Sequence, residues 1–479
     1  MECVVPRLPL HSAVPSASTT DSSTDTGTDS ATDVTDVTDG SDGSQTSGRG
    51  DLAARTDVRG RGIPAALSLV ALSAGAFAIG TTEFASMGVL PDIAGDLGVS
   101  IPTAGNAITA YALGVVVGAP TFAVLGAKVA RKSMLLALMT AIVVGNLASA
   151  MAPNFALLVA ARFLSGLPHG AFFGIGALVA SSLVPPHRRA RAVASMMMGL
   201  TIANVVGVPL TTLLGQEFGW RSVYVVVVGI GLLTLVAVHL LVPPVASHDG
   251  ASARQELSAL RRPQVWLTLA VCAIGGGGLF AVYSYITPTL VNVAGYRPAG
   301  VAIAIALLGA GMTAGTYVGG RLADWSLLVT LAAGPLCAMV VLLVFTVTAH
   351  GAVTAAATLF LLGATTSTSF PALTARLMDV AGDGKAMGAT LMHSAVNVAN
   401  ALGAWLGGVV IAAGLGYTAP AVVGAALSLA GLAVLAVSIW LERRATTVSQ
   451  SVDEVRTSVN ATTSQPAPVS AAASRDARQ

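Results

Sequence analysis

The sequence predicts an all-α membrane protein whose twelve transmembrane helices form two pseudo-symmetric six-helix bundles. Three observations carry this expectation: a shortage of charge, twelve apolar stretches of bilayer-crossing length, and an internal repeat. Of 479 residues, 54% are apolar and 10% charged, whereas soluble domains hold about 25% charged residues. So few charges cannot cover the surface of a soluble fold of this size. Residues 65–441 hold 24 of the 48 charged side chains, and the tails hold the rest.

Residues 1–62 contain no Phe, Trp or Tyr and carry ten acidic groups in repeats such as Thr35-Asp36-Val37-Thr38-Asp39. Such a segment cannot bury enough apolar area to fold, so a disordered cytoplasmic tail is expected. It lacks the basic start and apolar stretch of a secretory signal, which leaves the first membrane helix to direct insertion. Arg49-Gly50-Asp51 is an adhesion-like tripeptide that chance explains in this composition. The expected bundles occupy 63–243 and 265–442, with a cytoplasmic linker at 244–264 and a second disordered tail at 443–479.

The apolar stretches lie at 65–89, 103–125, 133–152, 155–183, 191–214, 221–243, 266–291, 299–322, 327–349, 352–377, 386–413 and 418–441. Each is long enough to cross about 30 Å of hydrocarbon as a helix. Lys and Arg near span ends mark the cytoplasmic side. Arg49, Arg55, Arg59 and Arg61, then every second loop (Lys128, Arg131 and Lys132; Arg188, Arg189 and Arg191; Arg254, Arg261 and Arg262; Arg321; Arg376 and Lys385; Arg443 and Arg444) place 18 basic residues on one side. The alternate loops carry only Arg221 and Arg297. Both termini are therefore expected in the cytoplasm, as an even number of crossings requires. Trp266, Trp325 and Trp440 fall at span ends, as interfacial aromatics do.

An offset of 197 residues relates Pro91 to Pro288, Gly114 to Gly311, Gly118 to Gly315 and Gly166 to Gly363. Gly219-Trp220 matches Gly416-Tyr417, and Ala203-Asn204 matches Ala399-Asn400 with a one-residue slip. A shared offset across several helix pairs indicates two similar halves in the same orientation.

Of 23 acidic residues, Glu83 alone lies well inside a span. A carboxylate at that depth costs roughly 2.5–3.5 kcal/mol unless it is protonated, paired or facing water. Two readings follow: a proton carrier, or a structural carboxylate permanently paired to one basic residue. Arg162, the only Lys or Arg well inside an expected span, is the candidate partner. At about 1.5 Å per residue both lie about 10 Å below the outer interface. Arg162, Ser165 and His169 share one face of the fourth helix, and Pro168 should kink it. His169 takes part directly or only bonds a neighbouring helix. Gly166, Gly170 and Gly174 permit close helix approach. Asn204, Tyr283, Tyr285, Thr366 in the Thr365–Ser369 run, and His393, Asn397 and Asn400 at i, i+4 and i+7 either line a cavity or make interhelical hydrogen bonds.

Other classes are excluded or unsupported. The net charge of +2, without a basic block interleaved with aromatics, gives no reason to expect nucleic acid. Cys3, Cys272 and Cys337 are too few and scattered for a disulfide framework or a metal site. Gly382-Asp383-Gly384-Lys385 is followed by Ala386, so the phosphate-binding loop motif fails. No His-Glu-x-x-His occurs, and no Gly precedes Ser165-Gly166 at position 163. No metal or cofactor is expected, and no enzymatic activity.

The residues from Gly80-Thr81-Thr82-Glu83-Phe84 through Gly88-Val89-Leu90-Pro91, with Arg162-Phe163-Leu164-Ser165-Gly166-Leu167-Pro168-His169-Gly170, resemble the major facilitator superfamily. Within it they are similar to the twelve-helix drug:proton antiporters of the arabinose-efflux-permease-like and chloramphenicol-exporter branch, over about residues 63–442. The resemblance implies a part for Arg162 in proton transfer. The stretch Gly199 to Gly215, with Gly207-Val208-Pro209, resembles the fifth-helix antiporter motif in altered spacing. The gate-loop motif is degenerate at Lys128, Arg131 and Lys132, having lost its Asp, while Gly320-Arg321-Leu322-Ala323-Asp324 keeps one. Asp324 is then either a surviving latch or a helix cap.

The expectation is a monomeric secondary transporter of a bacterial inner membrane, its partners a small-molecule substrate, protons and membrane lipid. Its halves rock about a central site, and Glu83 takes up a proton in exchange for an exported amphipathic compound. A proton-linked carrier of a sugar, nucleoside or other metabolite shares every architectural feature, and a non-transporting receptor is the remaining class.

Overall fold

The computed structural model describes residues 64–125, 129–245, 258–382 and 385–463. The expected N-terminal tail, Lys128 and most of the 244–264 linker lie outside the described residues. Among the described residues twelve helices are long and apolar enough to cross a bilayer. They are α1 (Ala65–Gly88), α2 (Ile101–Phe122), α3 (Arg131–Ala150), α4 (Phe155–Ser182), α5 (Pro186–Phe218), α6 (Arg221–Leu241), α7 (Pro263–Tyr283), α8 (Pro298–Trp325), α9 (Leu327–Thr348), α10 (Ala352–Ala381), α11 (Leu391–Ala412) and α12 (Ala419–Arg444). In hydrocarbon every backbone N–H and C=O must be bonded internally, and a helix does so within one segment. Outward faces stay apolar: Leu232, Leu233 and Val236 on α6 and Val340, Leu343 and Val347 on α9 are exposed.

Proline accounts for the interruptions. α1 stops at Gly88, and the chain resumes as a short helix, Leu90–Asp96, with Pro91 in its first turn. α7 likewise stops at Tyr283 and resumes as Ile286–Asn292, with Pro288 in the first turn. The first N–H groups of a helix have no intrahelical acceptor, so proline costs little there. α4 is broken at Leu167-Pro168, as expected. In α5 the turn Ala203–Gly207 is π-helical, a widening that relieves the clash of the Pro209 ring with the carbonyl one turn earlier.

Two ends differ from expectation. α10 runs on to Ala381, where Gly382 at φ +62° ends it, so Arg376 belongs to the helix and not to a loop. The helix of α12 continues to Thr463, past the expected boundary at 442. Residues 445–463 are polar but hold no Gly or Pro, so an established helix propagates through them without a new nucleation cost.

The offset of 197 reappears as matched packing. A Cβ on Gly114 would strike the Phe163 carbonyl, and one on Gly311 that of Phe360; Gly118 and Gly315 meet the carbonyls of Leu167 and Ala364 in the same way. The two halves thus bring helix pairs α2/α4 and α8/α10 into the same backbone-to-backbone contact. Away from the tails, one hydrophobic core joins both halves, with Phe84, Met87, Leu90 and Ile108 packed with Phe280, Tyr283, Ile286 and Leu290. Toward the tails each half has a separate core, around Leu72, Leu135, Phe172 and Met196 in the first and Val265, Leu331, Leu377 and Leu435 in the second. A shared core thus joins the halves at one end, and separate cores serve them at the other.

Candidate functional site

Glu83 lies where the halves meet and is 4% exposed. Asn400 of α11, fully buried, donates from Nδ2 to Glu83 Oε1 over 3.5 Å, a long hydrogen bond across the boundary. Its Oδ1 has no partner among the described residues. One turn earlier Asn397 donates to the His393 carbonyl at 3.0 Å, and its Oδ1 is likewise unpartnered. His393, Asn397 and Asn400 thus form one face of α11 that is short of hydrogen-bond donors.

Arg162 is not the ion-pair partner of Glu83: no salt bridge joins them among the described residues. It instead grips the preceding residue, donating from Nη1 to Thr82 Oγ1 and from Nη2 to the Thr82 carbonyl, both at 3.0 Å. The Thr82 hydroxyl in turn donates to Asn146 Oδ1 at 2.5 Å. The guanidinium, fully buried, lies 4.2 Å from the Tyr111 ring centroid and 5.3 Å from that of Tyr224. Two aromatic faces and two oxygens offset part of the desolvation of a buried cation. The cation thus goes to the hydroxyl and backbone carbonyl of Thr82, beside the carboxylate.

His169, 2% exposed, shares a hydrogen bond of 3.0 Å between its Nδ1 and the Tyr111 hydroxyl. Across the boundary its ring centroid is 6.4 Å from that of His393. Phe173, one turn on from His169, stacks on His393 at 5.0 Å and 7°. On the sealed side Phe84, next to Glu83, stacks on Tyr283 at 5.4 Å. Glu83 therefore sits between two aromatic contacts that bridge the halves. Thr82, Tyr111, Asn146, Phe173 and Tyr224 escaped the sequence reading. Intramembrane Tyr111 and Tyr224 were the available signal, since buried hydroxyls in a bilayer need partners.

Other candidates are occupied structurally. The Tyr285 hydroxyl donates to the Ala404 carbonyl at 2.7 Å, and half-buried Thr366 bonds back to Leu362 at 2.7 Å. Asn204 is buried with Oδ1 unpartnered. In the fifth-helix motif, added Cβ atoms on Gly199, Gly207 and Gly215 would meet the Ser73 carbonyl, Thr81 Oγ1 and Val89, and Pro209 follows the π-turn. That motif brings α5 against α1, the helix of Glu83.

At the tail end Lys132 donates to the His239 carbonyl at 2.7 Å, and half-buried Arg131 begins α3. Arg321 lies over the Tyr317 ring at 3.8 Å. Asp324 is exposed and makes neither a latch nor a cap hydrogen bond among the described residues. A second buried cation corrects the sequence reading: Arg376, 5% exposed, pairs with Glu442 and with Ser438 Oγ at 3.0 Å each. At the opposite end Asp96 bonds Arg221 and, at 3.0 Å, Trp220 Nε1. Those two donors hold the Asp96 carboxyl below the usual carboxylate range.

The family model described as Major Facilitator Superfamily matches residues 72–396. "Inner membrane transport protein YdhP" of Escherichia coli (strain K12) is 43% identical over 79% of this chain and 97% of its own length. "Chloramphenicol resistance protein" of Streptomyces lividans is 36% identical over 56% of this chain and 70% of its own. In fold, the chain is similar to a crystal structure of a bacterial homologue of the human lysosomal transporter Spinster, inward-facing and unoccupied, with TM-score 0.62 and 17% identity over 79% of this chain and 96% of that one. Coverage of this extent, on a twelve-helix fold with a repeated half, makes the chain a member of the major facilitator superfamily and hence a secondary transporter, not an enzyme.

Proposed function

We propose that this protein is a proton-coupled exporter of a small amphipathic compound in a bacterial inner membrane, monomeric, with both termini cytoplasmic. The carrying observation is the position of Glu83: buried, without an ion pair, and bonded by Asn400 from the other half. A charged carboxylate at that depth is costly and a neutral one is not, so its protonation state weights the energies of the alternating conformations. The basic loops favour the cytoplasm for the end where each half has its own core, which supports reading this state as inward-facing, ready to take substrate from inside. Arg162 and His169 act on the same site through Thr82 and Tyr111. Proton and substrate need only disfavour each other's binding for exchange to be coupled. Two relatives, an inner membrane transport protein and a chloramphenicol resistance protein, support the location and the outward direction.

The test is Glu83→Gln, which keeps the shape of the protonated acid. In a growth-inhibition panel of amphipathic drugs, a host with wild type should tolerate at least fourfold more of one or more compounds, and the Glu83→Gln host should not. Equal protection by both would remove the proton-carrier role.

A further inference from the structure

We propose that the second half binds the headgroup of a zwitterionic aminophospholipid, phosphatidylethanolamine in type, in a cleft between α9, α10 and α12 at the tail end. A cavity of about 670 Å³ lies there, within the roughly 300–1,000 Å³ of small-ligand sites. Leu328 and Ile439 give it an apolar wall, and Arg376, Asp379, Glu442 and Arg443 bring two charges of each sign. Arg376 is 5% exposed. Its Nη2 serves Glu442 and Ser438 at 3.0 Å each, and its Nε has no acceptor among the described residues. A buried guanidinium N–H without an acceptor is costly, and a ligand oxygen removes that cost. Exposed Trp440 follows Ile439 directly, and such aromatics mark headgroup level.

The first half is an internal control, because the offset of 197 gives each of these positions a counterpart. Gln264 of α7 donates to the Ser438 carbonyl of α12 at 3.1 Å, and Ser68 of α1 donates to the Leu241 carbonyl of α6 at 2.5 Å. Ser438 thus corresponds to Leu241, and in the same register Arg376 corresponds to Val179, Ile439 to Val242 and Glu442 to Val245. Those three valines belong to the apolar core of the first half. The fold is therefore satisfied by valine at these places, and a buried ion pair rarely adds stability over well-packed apolar residues. The second half keeps charges there, beside an open cavity, for a reason other than packing. Its ligand has to satisfy both signs. A phosphate accepts from Arg376 Nε and Arg443, and a primary ammonium donates to the carboxylates of Asp379 and Glu442. An anionic lipid lacks the ammonium, and the quaternary amine of a choline headgroup has no N–H. The basic loops favour the cytoplasmic leaflet for this end, so the proposed orientation decides only which leaflet supplies the lipid.

Native mass spectrometry of the delipidated full-length protein in detergent tests this without a transport substrate. Wild type should take up one dioleoylphosphatidylethanolamine at least tenfold more tightly than dioleoylphosphatidylcholine or dioleoylphosphatidylglycerol. Asp379→Asn, at an exposed position, should cut the preference for ethanolamine over choline at least threefold. Arg376→Val combined with Glu442→Val copies the first half, and should fold and lose the preference. Glycerophosphoethanolamine, which has the headgroup without acyl chains, should not displace the lipid at millimolar concentration. No ethanolamine preference in wild type, an unchanged preference in Asp379→Asn, or displacement by the soluble headgroup overturns the proposal. A double variant that does not fold would make the charges structural and overturn it as well. Its failure would leave the role of Glu83 untouched, since no measurement involves that residue or transport.

Discussion

Asn400 Nδ2 reaches Glu83 Oε1 at 3.5 Å across 317 residues of sequence, and its Oδ1 has no partner among the described residues. An amide donates to a carboxylate and accepts from a carboxylic acid, so this side chain serves either protonation state by turning over. Asn400→Leu keeps the volume and removes both functions. Flux driven by an imposed proton gradient in proteoliposomes is expected to fall at least tenfold, while substrate exchange without a gradient stays within about twofold. Equal loss of both would make Asn400 a substrate ligand, not a coupling residue.

The Arg162 cradle predicts that lysine is no substitute. A guanidinium satisfies two oxygens of Thr82 at once and stacks between Tyr111 and Tyr224, whereas an ammonium is a point charge with neither geometry. Each charged hydrogen bond lost costs about 1.5–3 kcal/mol. Arg162→Lys should therefore lower the melting temperature of the purified protein and shift the pH profile of transport. Thr82→Val, which keeps the carbonyl acceptor, should do each to a smaller extent. A melting temperature within one degree of wild type in Arg162→Lys would show that the cradle contributes little.

Much of this was legible because hydrocarbon is a demanding solvent. Twelve apolar runs and Pro91 with Pro288 each follow from one local rule, and both reappear in the fold. What was not legible depends on who stands opposite. Arg376 reads as a loop cation grouped with Lys385; only the fold shows it buried in α10 and paired with Glu442, 66 residues later. Counting residues to a common depth pairs Arg162 with Glu83, but such a count does not distinguish a carboxylate from the hydroxyl and carbonyl of the residue before it. The cross-boundary pairs, His169 with His393 and Phe84 with Tyr283, join halves that no local pattern relates.

At the sealed end Asp96 fastens the Leu90–Asp96 helix to α6 through Trp220 and Arg221, and Arg221 also donates to the Ala152 carbonyl at 3.0 Å. The folded protein holds the Asp96 carboxyl below its usual range, so its contribution to stability is present above the unfolded value of 3.8 and is lost as pH falls through the lower folded value. Asp96→Asn should lower the melting temperature at pH 7 slightly, by less in high salt because the pair is exposed. As pH falls below 3.8 the gap between wild type and variant should narrow progressively. A gap that stays constant as the solution is acidified would mean the ion pair is not its source.

Gly309 of α8 packs against the backbone of Asn204 in α5, so closely that an added Cβ would meet the Asn204 carbonyl oxygen and carbon and the Val205 nitrogen. None of these is the end of a flexible side chain, so a methyl group there is relieved only by moving α5 and α8, which belong to different halves. Overpacking of this kind costs about 1–3 kcal/mol, enough to shift a two-state population roughly five- to 150-fold away from the sealed arrangement seen here. Thr287 reports on the seal, because its hydroxyl donates to the Gly88 carbonyl at 2.8 Å across the halves and it is buried. With the native cysteines replaced, Thr287→Cys should react slowly with an impermeant maleimide. Adding Gly309→Ala should raise that rate at least fivefold. An unchanged rate would mean that the α5–α8 crossing tolerates the methyl group and does not set the balance between the two states.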